Sequence, residues 1–167
     1  TGIEKLVIPE GVTEIGEKAF SNSSLKEVVL PSTLRKIGNS AFSGTQLTKI
    51  TLPEGVTEIG SEAFSNTRIT ELYIPDSVTK LEYTSFSFPY NYSNDLPPLL
   101  TKVSLPSELQ STNSPFYGQK NLKEVVLRGN WKTIPSGLFS GTGIEKLAIP
   151  EGVTEIGENA FSGTQLK

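Results

Sequence analysis

The sequence predicts a single repeat solenoid, mostly β, in which the chain winds as a curved right-handed coil. One apolar pattern recurs seven times along the 167 residues, and almost all neighbouring copies begin 22 residues apart. A single copy is too short to bury its own apolar face, so stacked copies must share one continuous core. The solenoid is expected to occupy 1–167 as one domain.

Every repeat opens at an isoleucine or a leucine. The seven openings are Ile3, Leu25, Leu47, Ile69, Leu100, Leu122 and Ile144. Their spacing is 22 residues except between Ile69 and Leu100, where it is 31. Repeat four therefore carries an insertion, which we place at 87–99.

Within each repeat the pattern LxxVxLPxxVxxIGxxAFS assigns residues to three sides of the coil. The opening LxxVxL predicts a short strand on the first side, and the seven strands should form one parallel ladder. Proline ends that strand, and a second apolar pair such as Val12 and Ile15 faces the core from the second side. The third side carries phenylalanines that should stack as a buried column. These are Phe20, Phe42, Phe64, Phe86, Phe116, Phe139 and Phe161.

Two recurrent positions need a separate explanation. Gly16, Gly38, Gly60 and Gly157 share one slot, where we expect a positive φ. Trp131 stands where other repeats have Val or Leu, so we interpret it as a core residue. A partly exposed interaction role is the alternative for the tryptophan.

Charged residues alternate in sign from repeat to repeat. The exposed first-side row reads Lys5, Glu27, Lys49, Glu71, Lys102, Glu124 and Lys146. A second-side row begins Glu14, Lys36, Glu58 and Lys80. In an in-register stack these groups should form ion pairs between repeats. The alternative is a charged track for a ligand.

Composition argues against several classes of function. The chain has no cysteine and no histidine, so thiolate and imidazole chemistry is not available. Its 15 basic and 18 acidic residues give a net charge of -3, which does not favour nucleic acid or anionic membranes as partners. No motif for a cofactor, a metal or a catalytic group is recognisable, and we expect that the protein is not an enzyme.

Segments such as LKEVVLPSTLRKIGNSAFSGTQL resemble the BspA-like, or treponemal-type, leucine-rich repeat position by position. The resemblance covers Ile3 to Leu166. It implies a leucine-rich-repeat coil from a bacterial protein that is secreted or anchored at the cell surface. It also implies a role in adhesion, with a protein of a host or neighbouring cell as partner.

The insertion in repeat four is the most distinctive part of the sequence. It combines tyrosines with Ser and Asn, which is typical of adaptable recognition loops. The candidate partner-binding residues are Tyr73, Tyr83, Phe88, Tyr90, Asn91, Tyr92, Asn94 and Asp95. The alternative is a loop whose aromatic rings fold back onto the solenoid.

We therefore expect an extracellular recognition module that binds a protein through its concave face and this insertion. A structural spacer without a ligand is the first alternative, and glycan binding is a weaker one. Position 1 is not methionine, and both ends cut through the repeat pattern, so we expect a fragment of a longer protein. The similar first and last repeats also predict weak head-to-tail self-association.

Overall fold

The computed structural model describes residues 2–88, 99–111 and 114–167. This part of the chain contains short strands and no helix. Five strands lie on the first side: β1 (Lys5–Val7), β3 (Glu27–Val29), β6 (Glu71–Tyr73), β8 (Lys102–Leu105) and β10 (Glu124–Leu127). Seven lie on the second side: β2 (Glu14–Ile15), β4 (Lys36–Ile37), β5 (Glu58–Ile59), β7 (Lys80–Leu81), β9 (Gln110–Ser111), β11 (Thr133–Ile134) and β12 (Glu155–Ile156). We number the turns of the coil one to seven, in the order of the repeats.

The second side is the more regular of the two strand-bearing sides. Its strands form one parallel sheet in the order β2-β4-β5-β7-β9 and a second sheet of β11 and β12. Ile15 lies opposite Ile37, and Ile37 lies opposite Ile59, so the first turns stack in the register that the repeat predicts. In turn five the register slips by one residue, because Lys80 lies opposite Gln110 where the repeat predicts Ser111. The expected β-solenoid with parallel strands is confirmed.

The first side departs from the expected continuous ladder. β1 pairs with β3, and β6, β8 and β10 form a separate sheet, but residues 49–52 of turn three form no strand. No backbone hydrogen bond joins 27–30 to 49–52, although all of these residues are described. Ile50 and Leu52 are nevertheless buried, so the core holds turn three in place without strand pairing. The prediction of one ladder of seven strands is therefore wrong.

The column of phenylalanines on the third side is confirmed for most of its length. Phe20, Phe42, Phe64 and Phe86 stack successively, with ring centroids 5.2, 5.2 and 5.1 Å apart. Phe86 also stacks on Phe116, and a separate pair joins Phe139 to Phe161, but no stacking joins Phe116 to Phe139 among the described rings. The break follows the repeat in which the phenylalanine comes one residue early.

Trp131 is fully buried, which confirms its interpretation as a core residue. It fills the second-side position that is Val56 in turn three and Val78 in turn four. The larger ring therefore adds apolar volume to turn six, directly after the irregular turn five.

Glycine recurs at this repeat position for a different reason from the expected positive φ. Gly38, Gly60 and Gly157 have no positive φ, but a Cβ on them would lie 2.5 to 2.9 Å from backbone atoms of the preceding turn. Close contact between turns is therefore what requires glycine here. The left-handed residue lies two positions after this slot, or one position after it in turn five, and it is glycine only in turn six. The seven residues are Lys18, Ser40, Glu62, Thr84, Ser114, Gly137 and Asn159.

Candidate functional site

The strands of the first side present a row of apolar side chains to solvent. Outward positions of a strand alternate with core positions, so the residue two places after each row charge also faces outward. Four of these residues are large and exposed: Val7 (70%), Val29 (58%), Tyr73 (48%) and Val126 (40%). The first side therefore combines an apolar row with a row of alternating charges.

Tyr73 is held in place by an arginine from two turns further along the chain. The guanidinium carbon of Arg128 lies 4.0 Å from the centroid of the Tyr73 ring. Arg128 also donates hydrogen bonds to Ser104 Oγ at 2.7 Å, to the Ile74 carbonyl at 2.6 Å and to Asp76 Oδ1 at 2.7 Å. One face of the aromatic ring is thus covered by a fixed cation, while the side chain remains half exposed.

Sequence reasoning missed the role of Arg128. The only signal was that arginine replaces the proline that ends the first-side strand in other repeats. Because the residue at this position lies at the edge of the first side, a long side chain can reach back across turn five to turn four. The resulting contacts join Arg128 to Tyr73 and Asp76.

The described residues of the sequence-predicted site lie on three different sides of the coil. Tyr73 is on strand β6 of the first side, exposed Tyr83 follows β7 of the second side, and half-buried Phe88 ends the third side of turn four. The structure does not bring these three side chains together. The other candidates, Tyr90, Asn91, Tyr92, Asn94 and Asp95, lie outside the described residues.

The end of turn four, where the insertion begins, is held by hydrogen bonds with turn five. The Phe88 amide donates to the Tyr117 carbonyl at 2.8 Å, and Gln119 Nε2 donates to the Phe86 carbonyl at 2.8 Å. In turns two, three, six and seven the equivalent carbonyl accepts from a threonine three residues later, as Phe64 does from Thr67. The equivalent residue of turn four is Pro89, which has no hydroxyl. Gln119 of the next turn supplies the donor instead.

Ion pairs between turns occur in several of the expected places. Lys5 contacts Glu27 at 3.1 Å, and Lys102 contacts Glu124 at 2.5 Å. On the second side, Glu58 contacts both Lys36 at 3.7 Å and Lys80 at 3.3 Å. Lys49 and Lys146 form no ion pair with any residue that the structure describes.

Lys80 and Glu82 form a further ion pair at 2.5 Å, in the turn where Glu82 replaces the stacking glycine. The hydrogen bond from Lys80 holds the pKa of Glu82 below its usual range, and a bond from the Ser61 hydroxyl acts in the same direction. The pKa of Lys80 is correspondingly raised by hydrogen bonds to Glu82 and Glu58. The charges of Lys80, Glu58 and Glu82 therefore pair with one another, and these residues lie on the second side, away from the exposed apolar residues of the first side.

A groove opens on the first side where turns two and three fail to pair. Its volume is about 500 Å³, and it is lined by Val28–Leu30 of turn two and Lys49–Thr51 of turn three. Glu10 lies at one end, where the Ser32 amide and hydroxyl donate to its carboxylate at 3.0 and 2.9 Å. These hydrogen bonds, that from the amide first, lower the pKa of Glu10.

The described ranges contain no cluster of three or more acidic, histidine or cysteine side chains that could hold a metal ion. Within the same ranges, no helix is long and apolar enough to cross a membrane.

The stacked parallel strands and the recurring apolar pattern define the chain as a leucine-rich repeat protein. A family model described as the BspA type leucine rich repeat region matches residues 1–94 and 95–167, in six copies. The chain therefore belongs to the BspA-type leucine-rich repeat family, as the sequence motifs predicted.

Solved structures from three bacteria share the fold. A leucine-rich repeat protein of Bacteroides ovatus is 27% identical, with a TM-score of 0.66 over 96% of this chain and 46% of the other. One from Eubacterium ventriosum is 24% identical, with a TM-score of 0.67 over 97% of this chain and 52% of the other. The leucine-rich repeat protein of T. pallidum is 20% identical, with a TM-score of 0.59 over 83% and 76%. This chain thus spans about half the length of the first two proteins, and no curated protein matches it.

Proposed function

We propose that this chain is an extracellular recognition module of a bacterial surface protein. It binds a protein of a host or neighbouring cell through the first side of the coil, the face expected to be concave, together with the insertion in repeat four. It performs no catalysis. Membership in the BspA-type family supports a surface module for protein interactions.

The observation that carries the proposal is the immobilised, half-exposed ring of Tyr73 within the apolar row of the first side. Aromatic residues that are rigid before binding lose little conformational entropy when they meet a partner, and they are common centres of interfaces. Val29 and Val126 add exposed apolar surface two turns away on either side, beyond Thr51 and Ser104. Exposed apolar surface bordered by charges is typical of a protein interaction site.

The test is capture of surface proteins from candidate host cells by the immobilised chain, with Tyr73→Ala as the variant. Tyr117→Ala is the matched control, because Tyr117 is similarly exposed (44%) but lies on the third side. We expect the Tyr73 variant to lose most of the captured protein and the control to retain it. Loss with the control alone would move the binding surface to the third side.

A second variant, Tyr90→Ala combined with Tyr92→Ala, tests the insertion. Reduced capture is expected if the loop contributes to the same interface. Capture that is equal to that of the unmodified chain would remove the insertion from the proposal. If the unmodified chain captures nothing, a structural spacer becomes the better description, since its interturn ion pairs leave much of the surface self-compensated.

A further inference from the structure

The side chain of Arg128 supplies a hydrogen bond that the backbone of the next turn cannot supply. Where the first side ends, a carbonyl accepts from the backbone nitrogen of the following turn, as Leu105 O accepts from Arg128 N at 2.8 Å. For the carbonyl of Ile74, that nitrogen belongs to Pro106, which has no N–H. The guanidinium of Arg128 donates to Ile74 O instead, at 2.6 Å.

The same place in turn three has no such donor. One turn after Leu52 the chain has Pro75, and the carbonyl of Leu52 accepts no hydrogen bond among the described residues. Glu54 stands at the position that Asp76 occupies in turn four, and it is exposed, without an ion pair or a side-chain hydrogen bond in the same part of the chain. Turn three therefore repeats, unused, the carbonyl and the carboxylate that Arg128 binds in turn four.

The ring of Tyr73 has one free face on the first side. Arg128 covers the other face at 4.0 Å, and no further ring or cation stacks on Tyr73 within the described ranges. On turn three the neighbouring outward residue is the smaller Thr51. A shallow cavity of about 430 Å³ is lined by Tyr73 together with Ile50 and Val126. A planar group can therefore reach the face of the ring that Arg128 leaves open.

The combination of a free carbonyl and a ring distinguishes this place from the equivalent ones. Ile8 and Leu30 are also followed by a proline one turn later, but the outward residue on their next turn is Val29 or Thr51. Leu52 is followed by the turn that carries Tyr73. Turn three thus offers an acceptor beside an aromatic ring, whereas turns one and two do not.

The charges near this place favour a cation. Lys49 and Glu71 are neighbours in the row of alternating charges and are opposite in sign, so the carboxylate of Glu54 is in excess. Arg35 lies on the preceding turn, but its guanidinium donates to two backbone carbonyls of that turn. It forms no ion pair among the described residues.

Resting on the proposed function, we infer that the first side binds an arginine side chain of the partner protein, which stacks on the free face of Tyr73 and donates to Leu52 O and to Glu54. A guanidinium is planar and has five donors, so it can stack on a ring and bind a carbonyl and a carboxylate together, as Arg128 does. The two guanidinium groups would lie roughly 8 Å apart, twice the 4.0 Å of the occupied face and about one Debye length at physiological salt. Each has its own carboxylate, Asp76 for Arg128 and Glu54 for the partner.

NMR titration with the capped tripeptide acetyl-Gly-Arg-Gly-amide tests this site. Two control peptides replace the arginine, one by citrulline, which has a similar shape without the charge, and one by lysine, which has the charge without the planar group. The arginine peptide should bind at least about threefold more tightly than either control. It should shift the ring signals of Tyr73 and the amide signal of Glu54. Equal binding of the citrulline or the lysine peptide would overturn the inference.

A matched pair of carboxylate variants connects the peptide to turn three. Glu54→Gln should weaken binding of the arginine peptide about threefold to fivefold. Glu151→Gln, at the equivalent exposed position of turn seven, should leave it unchanged. Binding to the Glu54 variant that is as tight as binding to the unmodified chain would overturn the inference.

A second matched pair fills the site with a group from the chain itself. Thr51 is exposed and lies one turn from Tyr73, so Thr51→Arg should place its own guanidinium on the free face and block the arginine peptide. Thr51→Gln should not block it. The unfolding midpoint in denaturant confirms that both variants fold. Undiminished binding to folded Thr51→Arg would contradict the proposed position of the arginine.

These outcomes separate the arginine site from the proposed function. Capture of surface proteins that is lost with Tyr73→Ala but unchanged by Glu54→Gln would keep the recognition module and overturn the arginine site. If the unmodified chain binds the arginine peptide at Glu54 but captures no surface protein, the site stands and the proposed function fails.

Discussion

The second and first sides of this coil follow the same repeat, but strand pairing is continuous over more turns on the second side than on the first. On the second side, β2, β4, β5, β7 and β9 form an unbroken sheet across five turns. On the first side, the ladder is interrupted at turn three, although its sequence there follows the same alternation. The phenylalanine column behind that interruption is continuous.

The difference indicates which contacts hold the turns together. Ring stacking occurs on the third side, and close backbone contact at the glycine slot occurs directly after the second-side strands, whose pairing continues. The first side lacks both, so its spacing between turns can change without opening the core. A solenoid with this division of roles can alter its front surface while its packing is preserved.

The largest expected effect in this comparison is Phe64→Ala. The ring is almost fully buried between Phe42 and Phe86, so its removal should leave a cavity and cost about 3 to 5 kcal/mol of unfolding free energy. Phe88→Ala should cost much less, because Phe88 is only half buried at the start of the insertion. Chemical denaturation measures both. Equal losses would mean that Phe88 also belongs to the core.

A smaller effect is expected when alanine replaces a glycine of the stacking slot. A Cβ on Gly60 would lie 2.8 Å from the Asn39 nitrogen, whereas nothing lies within 4 Å of a Cβ on Gly16. Gly60→Ala should therefore cost about 1 to 3 kcal/mol by crowding. Gly16→Ala should be neutral, or should stabilise by about 0.4 to 1 kcal/mol through the unfolded chain. Similar losses for both variants would refute close approach as the reason for this glycine.

The smallest effect concerns acid stability. The pKa of Glu82 is lowered in the folded chain, so its contribution is present above the unfolded value of about 4.3 and is lost as the pH falls through the folded value. Glu82→Gln should therefore make the unfolding midpoint less dependent on pH in this acidic range. Glu54→Gln, at an exposed carboxylate without an ion pair among the described residues, is the control. An unchanged pH profile for Glu82→Gln would show that the Lys80 contact does not stabilise the fold.

Much of the fold follows from the spacing alone. The period fixes which side chains lie above one another, so the phenylalanine column and buried Trp131 could be predicted without any structure. The same reasoning predicted ion pairs such as Lys5 with Glu27, because an in-register stack places these rows in contact.

The remaining features depend on distances between turns, which a periodic pattern does not specify. Residues 49–52 keep the alternation of a strand, and Ile50 is buried as the pattern requires, but pairing also needs a neighbouring backbone at the correct distance. For the same reason the sequence showed that glycine recurs at one repeat position, but it predicted a positive φ there instead of the close contact between turns. The contacts of Arg128 were missed because they skip one turn entirely.

Those skipped contacts also bear on how the coil comes apart. In a repeat array each turn contacts only its immediate neighbours, so unfolding can proceed from an end one turn at a time. Arg128 joins turn six to Ile74 and Asp76 of turn four, across turn five and the break in the phenylalanine column. Under a stretching force applied from the carboxyl end, turn six can unfold only after the hydrogen bonds from Arg128 to Ile74 and Asp76 break. Turns four to six, which have the least regular repeats, should therefore unfold together in one step rather than in three separate steps.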